Sequence, residues 1–307
     1  MPTSEPERQE PDENWEHHEL YEGVKQALYS LPSHFRTDTV IEGISATDIF
    51  AVGGALGVII ETQVVETLNV IRGVWDPDDN YLEYSFVRQA QTFPDVLLQR
   101  RHGRGSKRDI IMGVELKGWY LLAKEGEPSF RFKVTPDACA EADLIVIVPW
   151  VLSDVISGRP EVFLPYVEAA KYAAQYRNYW WQQLRDTTQD TSIKSPENVN
   201  PYPAKSDQIG DQPKVDGGSN FGRFARSGIM NEYLDEAKSQ ELSGIPAKHW
   251  IDFFKVFRQQ WGDEEVESKI AGIKRKLEGA ESETDPGKAH LLSILESLES
   301  MMDEIEG

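Results

Sequence analysis

Cysteine is nearly absent from this sequence: Cys139 is the single one among 307 residues. One thiol forms no intramolecular disulfide, which favours a reducing compartment. The most apolar run, LIVIVPWVL at 144–152, has nine residues and is too short to cross a bilayer. The first residues lack the basic start and apolar stretch of a secretory signal. We therefore expect a cytoplasmic protein that does not bind a membrane.

Several common functional signatures are missing as well. The sequence contains no G-x-x-x-x-G-K-[ST] phosphate loop and no G-x-S-x-G nucleophile turn. It also has no cysteine and histidine pairs at zinc-finger spacing. These absences argue against a P-loop ATPase, a serine hydrolase of the nucleophile-elbow type and a zinc finger.

Basic residues are in the minority. There are 32 Lys and Arg against 52 Asp and Glu, a formal net charge of −20. Much of the excess lies at the ends: residues 1–22 hold eight acidic side chains and one arginine, and residues 262–307 hold thirteen acidic and five basic ones. Because the local potential of a binding face matters more than the total, the net charge does not exclude a nucleic-acid partner.

Composition divides the chain into four parts. Residues 1–14 are rich in Pro and Glu and are predicted to be a disordered acidic N-terminus. A folded core is predicted over 15–186, beginning with a helix at 15–31. Residues 187–219, rich in Asp, Ser, Pro, Asn and Gly, are predicted to be a long loop. Residues 220–307 are predicted to be a helical C-terminal region that contacts DNA and dimerises.

Hydrophobic pattern predicts the elements of the core. SATD at 45–48 has capping-box spacing, so we predict a helix after it to about Gly73, with a break at Gly53-Gly54. Four β-rich runs are predicted as strands: 81–88, 95–101, 110–123 and 142–152. A helix is predicted to begin after Pro165. The helix predicted after SATD carries its apolar positions on one face: Leu56, Ile60, Val64, Leu68 and Ile71.

Two of these strands carry carboxylates. Asp95 follows Pro94, and Glu115 lies two residues before Lys117, so Glu115 and Lys117 point to the same side of their strand. If the strands pair, Asp95 meets Glu115 on that side. Two close carboxylates repel each other and favour a hard cation, Mg²⁺ or Mn²⁺. The lysine beside them would stabilise a phosphorane or, with a lowered pKa, deprotonate a water. The alternative is an exposed strand with an ordinary Glu–Lys pair, although the apolar flanks argue for burial.

Pro94-Asp95 followed by Glu115-Leu116-Lys117 resembles the motif of the PD-(D/E)XK, or restriction-endonuclease-like, nucleases. The resemblance implies that Asp95 and Glu115 hold Mg²⁺, with Mn²⁺ as a substitute, that the Leu116 carbonyl adds a ligand, and that Lys117 is catalytic. It implies cleavage to 5′-phosphate and 3′-hydroxyl ends. It also implies an α/β fold: a restriction-endonuclease-like core with a mixed central sheet flanked by helices, here with additional C-terminal helices.

The family often adds a glutamate from its first helix. At 100° per residue, Glu61 lies on the flank of the apolar face and Glu66 nearly opposite to it. We select Glu61 as a further catalytic residue because a carboxylate at the edge of a buried face is the more unusual placement. Glu66 is the alternative.

Basic side chains suggest where DNA would bind. The turn between the two motif strands would contact the phosphodiester backbone, unless it is only a solvated hairpin tip. A Gly-rich segment at the start of a later predicted helix would hold a phosphate, unless it is only an amphipathic helix start. The predicted DNA contacts are Arg100, Arg101, Arg104, Lys107 and Arg108 in the turn, and Asn220, Arg223 and Arg226 in the later segment.

We thus predict a Mg²⁺-dependent, site-specific endonuclease of double-stranded DNA, like a type II restriction enzyme. The expected partners are double-stranded DNA, a second copy in a homodimer, and a cognate DNA methyltransferase in the same system. One alternative is a structure-specific repair or recombination nuclease. Another is a non-catalytic interaction protein with acidic tails, which would show no metal dependence. C-terminal apolar positions predict a helical hairpin or a dimer seam: Ile270, Ile273, Leu277, Leu291, Leu295, Leu298, Met302 and Ile305.

Overall fold

The structure, a computed structural model, describes residues 4–43, 52–89, 92–101, 109–123, 128, 130–256, 271 and 275. The predicted capping box and the C-terminal apolar positions lie outside these residues. The helices are α1 His18–Tyr29, α2 Leu31–His34, α3 Val52–Val70, α4 Arg72–Trp75, α5 Ala170–Tyr179, α6 Asn231–Lys238 and α7 Ala247–Val256. The strands are β1 Tyr84–Arg88, β2 Val96–Arg100, β3 Ile110–Tyr120, β4 Leu144–Leu152, β5 Pro160–Val162, β6 Tyr166–Ala169, β7 Ile193–Lys194, β8 Gln212–Pro213, β9 Glu241–Leu242 and β10 Ile245–Pro246.

A curled mixed sheet forms the centre, so the predicted α/β class is confirmed. Within the described residues it has six strands in the order β1-β2-β3-β4-β5, with β6 also on β4. β1, β2 and β3 are antiparallel neighbours, whereas β3 and β4 are parallel. β5 and β6 pair antiparallel with opposite ends of β4. Every residue of β4 is buried, as expected for a strand inside a sheet that is covered on both faces.

Helix α3 covers one face of this sheet. Its predicted apolar positions from Leu56 to Ile71 are all buried, which confirms the assignment of the face. The predicted break at Gly53-Gly54 is wrong, because the helix runs through both glycines. Close packing holds α3 against β3: a Cβ on Gly118 would lie 3.6 Å from the Cα of Gly57. Even-numbered residues at this end of β3 therefore face α3, and alternation directs Glu115 and Lys117 to the opposite face.

That opposite face carries a small layer, here called the outer ribbon, made of residues 130–135, 209–211 and 222–224. Single β-bridges join its parts, Arg131 to Arg223 and Val134 to Gly210. The fully buried Arg177 of α5 anchors the ribbon, because its guanidinium donates to the carbonyls of residues 132 and 134 and to the carboxylate of Asp211. The layer is thus fixed to α5 by backbone contacts and by a buried ion pair.

Two segments differ from the sequence-based expectation. The helix predicted to start after Pro165 begins at Ala170, because Tyr166–Ala169 first pairs with β4 as an edge strand. Residues 4–14, predicted to be disordered, make contacts with the core: Arg8 lies 3.0 Å from Glu168, and Glu10 lies 2.9 Å from Lys25. Residues 187–219 contain the short strands β7 and β8 and otherwise no regular element. None of the described helices combines the length and the apolar character needed to span a membrane.

Candidate active site

The site lies where β2 and β3 separate. Their pairing ends at Val96 and Val114, while β3 continues along β4 to Tyr120. Asp95 precedes β2 at this opening. Its Oδ2 accepts a hydrogen bond from the Leu116 N–H, 3.0 Å away. In an extended antiparallel strand the N–H and C=O of one residue point to the same side, so the carbonyl of Leu116 faces the same opening.

Three side chains of the predicted motif come together here. The Lys117 Nζ lies 2.5 Å from the Glu115 Oε1 and 3.5 Å from the Asp95 Oδ2. Glu115 is only 7% exposed, and the Lys117 and Asp95 side chains are partly buried. An ammonium therefore stands between two carboxylates at the edge of the core. The alternative of an exposed strand with an ordinary ion pair does not describe this arrangement.

Helix α3 adds Glu61 to the cluster. Its Oε1 lies 3.5 Å from the backbone N of Gly118, and its Oε2 lies 3.4 Å from a guanidinium nitrogen of Arg88. Arg88 also donates to the Thr62 hydroxyl. Glu66 is exposed, so Glu61 is the glutamate of this helix that reaches the site.

Burial and neighbouring charges perturb the acidity of these groups. Burial raises the pKa of Glu115; the Lys117 ammonium opposes the rise and the Asp95 carboxylate adds to it. Burial also raises the pKa of Glu61, again with a contribution from Asp95. Burial alone would lower the pKa of Lys117, but the two adjacent carboxylates outweigh it and raise the pKa. The adjacent carboxylates thus favour the protonated, cationic form of Lys117.

The donor set fits a hard divalent cation by its chemistry. Asp95 and Glu115 offer carboxylate oxygens, and the Leu116 carbonyl faces the same opening, which is the oxygen-only ligation that Mg²⁺ prefers. Across the described part of the chain, no three His, Cys, Asp or Glu side chains are grouped closely enough to form a metal cage by themselves. The Leu116 carbonyl would supply a third oxygen beside the two carboxylates.

Arg100, the first of the basic residues predicted to contact DNA, lies away from these carboxylates. Arg100 ends β2, five residues after Asp95, which is roughly 17 Å along an extended strand. Its guanidinium lies 3.5 Å from a Glu83 carboxylate oxygen and donates to the Tyr84 hydroxyl. Arg101 is exposed. The predicted contacts Arg104, Lys107 and Arg108 lie outside the described residues.

The second predicted DNA-contacting group belongs to the outer ribbon and the turn beside it. Asn220 accepts a hydrogen bond of 2.8 Å from Arg226, so these two side chains hold each other. Arg223 donates to the Ser219 carbonyl at 3.3 Å. A short 3₁₀ helix, Phe224–Ser227, follows, and α6 begins only at residue 231. The α-helix predicted to open at this segment therefore begins later, and the predicted phosphate contact stays a prediction.

Residues that the sequence did not predict hold Asp95 in place. The Gln89 side chain donates to the Pro94 carbonyl at 2.8 Å, and the Gln89 N–H donates to the Asp95 carbonyl at 2.7 Å. Gly113 allows the Pro94 ring to approach β3, and its N–H donates to Asp143 at 2.7 Å. A glycine inside a strand is a known sign of close backbone approach, so Gly113 carried a usable signal, whereas Gln89 carried none.

No family model, no curated protein and no solved structure matches this chain.

Proposed function

We propose that the protein is a Mg²⁺-dependent, site-specific endonuclease of double-stranded DNA, built on a restriction-endonuclease-like core. One observation carries the proposal: Asp95, Glu115 and Lys117 meet at the separated ends of β2 and β3, with Glu61 reaching them from α3. Burying a charged side chain costs free energy unless the charge is paired, hydrogen-bonded or bound to a metal. Clusters of perturbed carboxylates beside a lysine are common at catalytic sites.

Each side chain has a role in this mechanism. Asp95, Glu115 and the Leu116 carbonyl would hold Mg²⁺, which supplies Lewis-acid stabilisation of the phosphate and a more acidic water. The Leu116 N–H keeps the Asp95 carboxylate directed into the opening. The Lys117 ammonium, protonated because its pKa is raised, donates hydrogen bonds to the attacked phosphate and stabilises the negative charge that develops on its oxygens.

Glu61 completes the electrostatics. Burial and Asp95 raise its pKa, so this carboxyl group is suited to hold a proton or to accept one from an incoming water. Its hydrogen bond from the Gly118 N–H positions the carboxyl group next to Lys117 along β3. The partly buried opening excludes part of the solvent, and electrostatic interactions are stronger there than in water.

The first experiment is cleavage of several unmethylated plasmid and phage DNAs with Mg²⁺ or with EDTA. We expect discrete fragments that require Mg²⁺ and are lost in Asp95→Ala and Lys117→Ala. Circular dichroism of each variant establishes that the loss is not unfolding. Smears or cuts confined to branched DNA would replace site-specific cleavage by a structure-specific nuclease. Equal cleavage rates for wild type and both variants would refute the proposed active site.

A further inference from the structure

Two arginines face each other across the outer ribbon. Arg131 and Arg223 form an antiparallel β-bridge. The residues on either side exchange backbone hydrogen bonds of 2.7 and 2.9 Å, so the arginines occupy a non-hydrogen-bonded pair. In such a pair the Cα atoms lie about 4.5 Å apart and both side chains project from the same face. The bridge therefore sets the backbones of two arginines side by side, and the Arg223 Nε donates to the Ser219 carbonyl at 3.3 Å.

This arrangement costs stability unless an anion shares it. Like charges directly opposite each other in a sheet are destabilising. Arg131 is exposed, and no carboxylate among the described residues lies within ion-pair distance of it. Lys133, two residues further on the same face, lies 3.6 Å from Asp216. Arg131 thus adds an exposed positive charge to the ribbon of a protein whose net charge is −20.

The scaffold prevents the two arginines from moving apart. The guanidinium of Arg177, 2% exposed, donates to the carbonyls of residues 132 and 134 at 2.6 and 3.0 Å. It also pairs with the buried Asp211 at 2.5 Å. Backbone bonds on both sides of the Arg131–Arg223 bridge add to this support. The charge pair is therefore a preorganised feature of the fold.

The ribbon also starts beside the candidate active site. Phe130, next to Arg131, packs edge-on against Trp119, with ring centroids 6.1 Å apart. Trp119 lies two residues after Lys117 on the same face of β3, roughly 7 Å along the strand. A polyanion lying in the active site would therefore pass close to the ribbon.

We propose that Arg131 and Arg223 together bind a backbone phosphate of the nucleic acid that occupies the Asp95–Glu115–Lys117 site. Two adjacent guanidinium forks match the geometry of a phosphodiester and would be relieved of their repulsion by it. The contact positions the strand and reads no bases. This inference rests on the proposed function for the identity of its ligand.

The test measures binding without cleavage. Fluorescence anisotropy of a labelled DNA duplex is followed in EDTA over a range of salt concentrations for wild type, Arg131→Ala, Arg223→Ala and Arg131→Lys. Losing one phosphate contact should reduce the slope of log K against log salt by about 0.9, which weakens binding about eightfold at 0.1 M salt. Arg131→Lys should keep the slope because it keeps the charge. The matched control is Arg36→Ala, an exposed arginine next to α2, on the α3 side of the sheet.

The outcomes separate this inference from the proposed function. If Arg131→Ala and Arg36→Ala bind DNA with the same slope as wild type, the phosphate site is refuted, whatever the protein cleaves. If Arg131→Ala reduces the slope but no DNA is ever cut, the phosphate site stands and the nuclease fails. If wild type binds poly-aspartate but not the duplex, the arginine pair serves an acidic protein partner and the proposal is overturned. Unfolding midpoints equal to or above that of wild type show that the substitutions leave the fold intact.

Discussion

Gly113→Ala tests how the fold positions Asp95. A Cβ on Gly113 would overlap the Cγ of Pro94 and would lie 3.1 Å from its Cβ and 2.9 Å from the Asp143 Oδ1. The proline ring would have to shift by roughly 1 Å or more to restore a normal carbon–carbon contact of about 3.5–4.0 Å. Asp95 follows this proline directly, so its carboxylate would move away from the Leu116 N–H.

Two magnitudes follow from this overlap. Overpacking of this kind lowers the free energy of unfolding by about 1–3 kcal/mol. A displacement of about 1 Å at a reacting group lowers the rate roughly a hundredfold. Urea denaturation measures the first effect, and Mg²⁺-dependent cleavage of plasmid DNA measures the second.

Gly118→Ala is the matched stability control on the same strand. Its Cβ would find only ordinary contacts of 3.6 Å, so the free energy of unfolding should stay unchanged or rise by about 0.5–1 kcal/mol, the usual gain from replacing glycine inside a strand. If Gly113→Ala is as stable as Gly118→Ala, the close approach of Pro94 to β3 is wrong. If it is destabilised but cleaves at the wild-type rate, Pro94 does not position a catalytic Asp95.

Three further predictions concern the surroundings of the site. Burial raises the pKa of Asp143 from 3.8 to about 6, so the folded state favours its protonated form, and this stabilisation is present at low pH and is lost as the pH rises through 6. The free energy of unfolding of wild type should fall by about 2–2.5 kcal/mol relative to Asp143→Asn between pH 4 and pH 7, and parallel urea-stability profiles would contradict this. Gln89→Ala should lower the Mg²⁺ affinity or the cleavage rate by roughly 10–100-fold, because it removes one hydrogen bond that supports the turn before Asp95. The unfolding midpoint should barely change. An unchanged Mg²⁺ titration of cleavage would refute that role. Arg177→Met should lower the free energy of unfolding by about 3–5 kcal/mol because it leaves the buried Asp211 carboxylate without its cation, with the Asn178 amide still donating to it. Arg177→Met with Asp211→Leu should recover most of this loss in chemical denaturation; a double variant no more stable than the single one would contradict the pairing.

The parts of the fold that follow from local pattern were predictable. Long apolar runs indicated β3 and β4, and helical spacing indicated the buried face of α3. The four residues of β6 were assigned to a helix because an edge strand this short has too few residues to show alternation. The outer ribbon was missed because its single bridges, Arg131 to Arg223 and Val134 to Gly210, join segments that are far apart in the sequence, and no local signal marks such pairings.

The candidate site was predictable only in part. Strand alternation places Glu115 and Lys117 together, and the motif adds Asp95, so the centre could be named from the sequence. The predicted DNA contacts of the basic turn stay a prediction; Arg100, close to Asp95 in sequence, lies at the far end of an extended strand. Arg131 was overlooked because its partner comes from a distant segment. Tertiary contacts of this kind become visible only in the folded chain.

The central claim is that Glu115 serves phosphodiester hydrolysis. The most direct measurement compares Mg²⁺-dependent cleavage rates of wild type, Glu115→Gln and Glu161→Gln, the last an exposed glutamate of β5. Glu115→Gln keeps the shape of a side chain in contact with Lys117 but removes its charge. We expect a rate loss of at least about a hundredfold for Glu115→Gln and none for Glu161→Gln, with both variants folded. Cleavage by Glu115→Gln at the wild-type rate would contradict it.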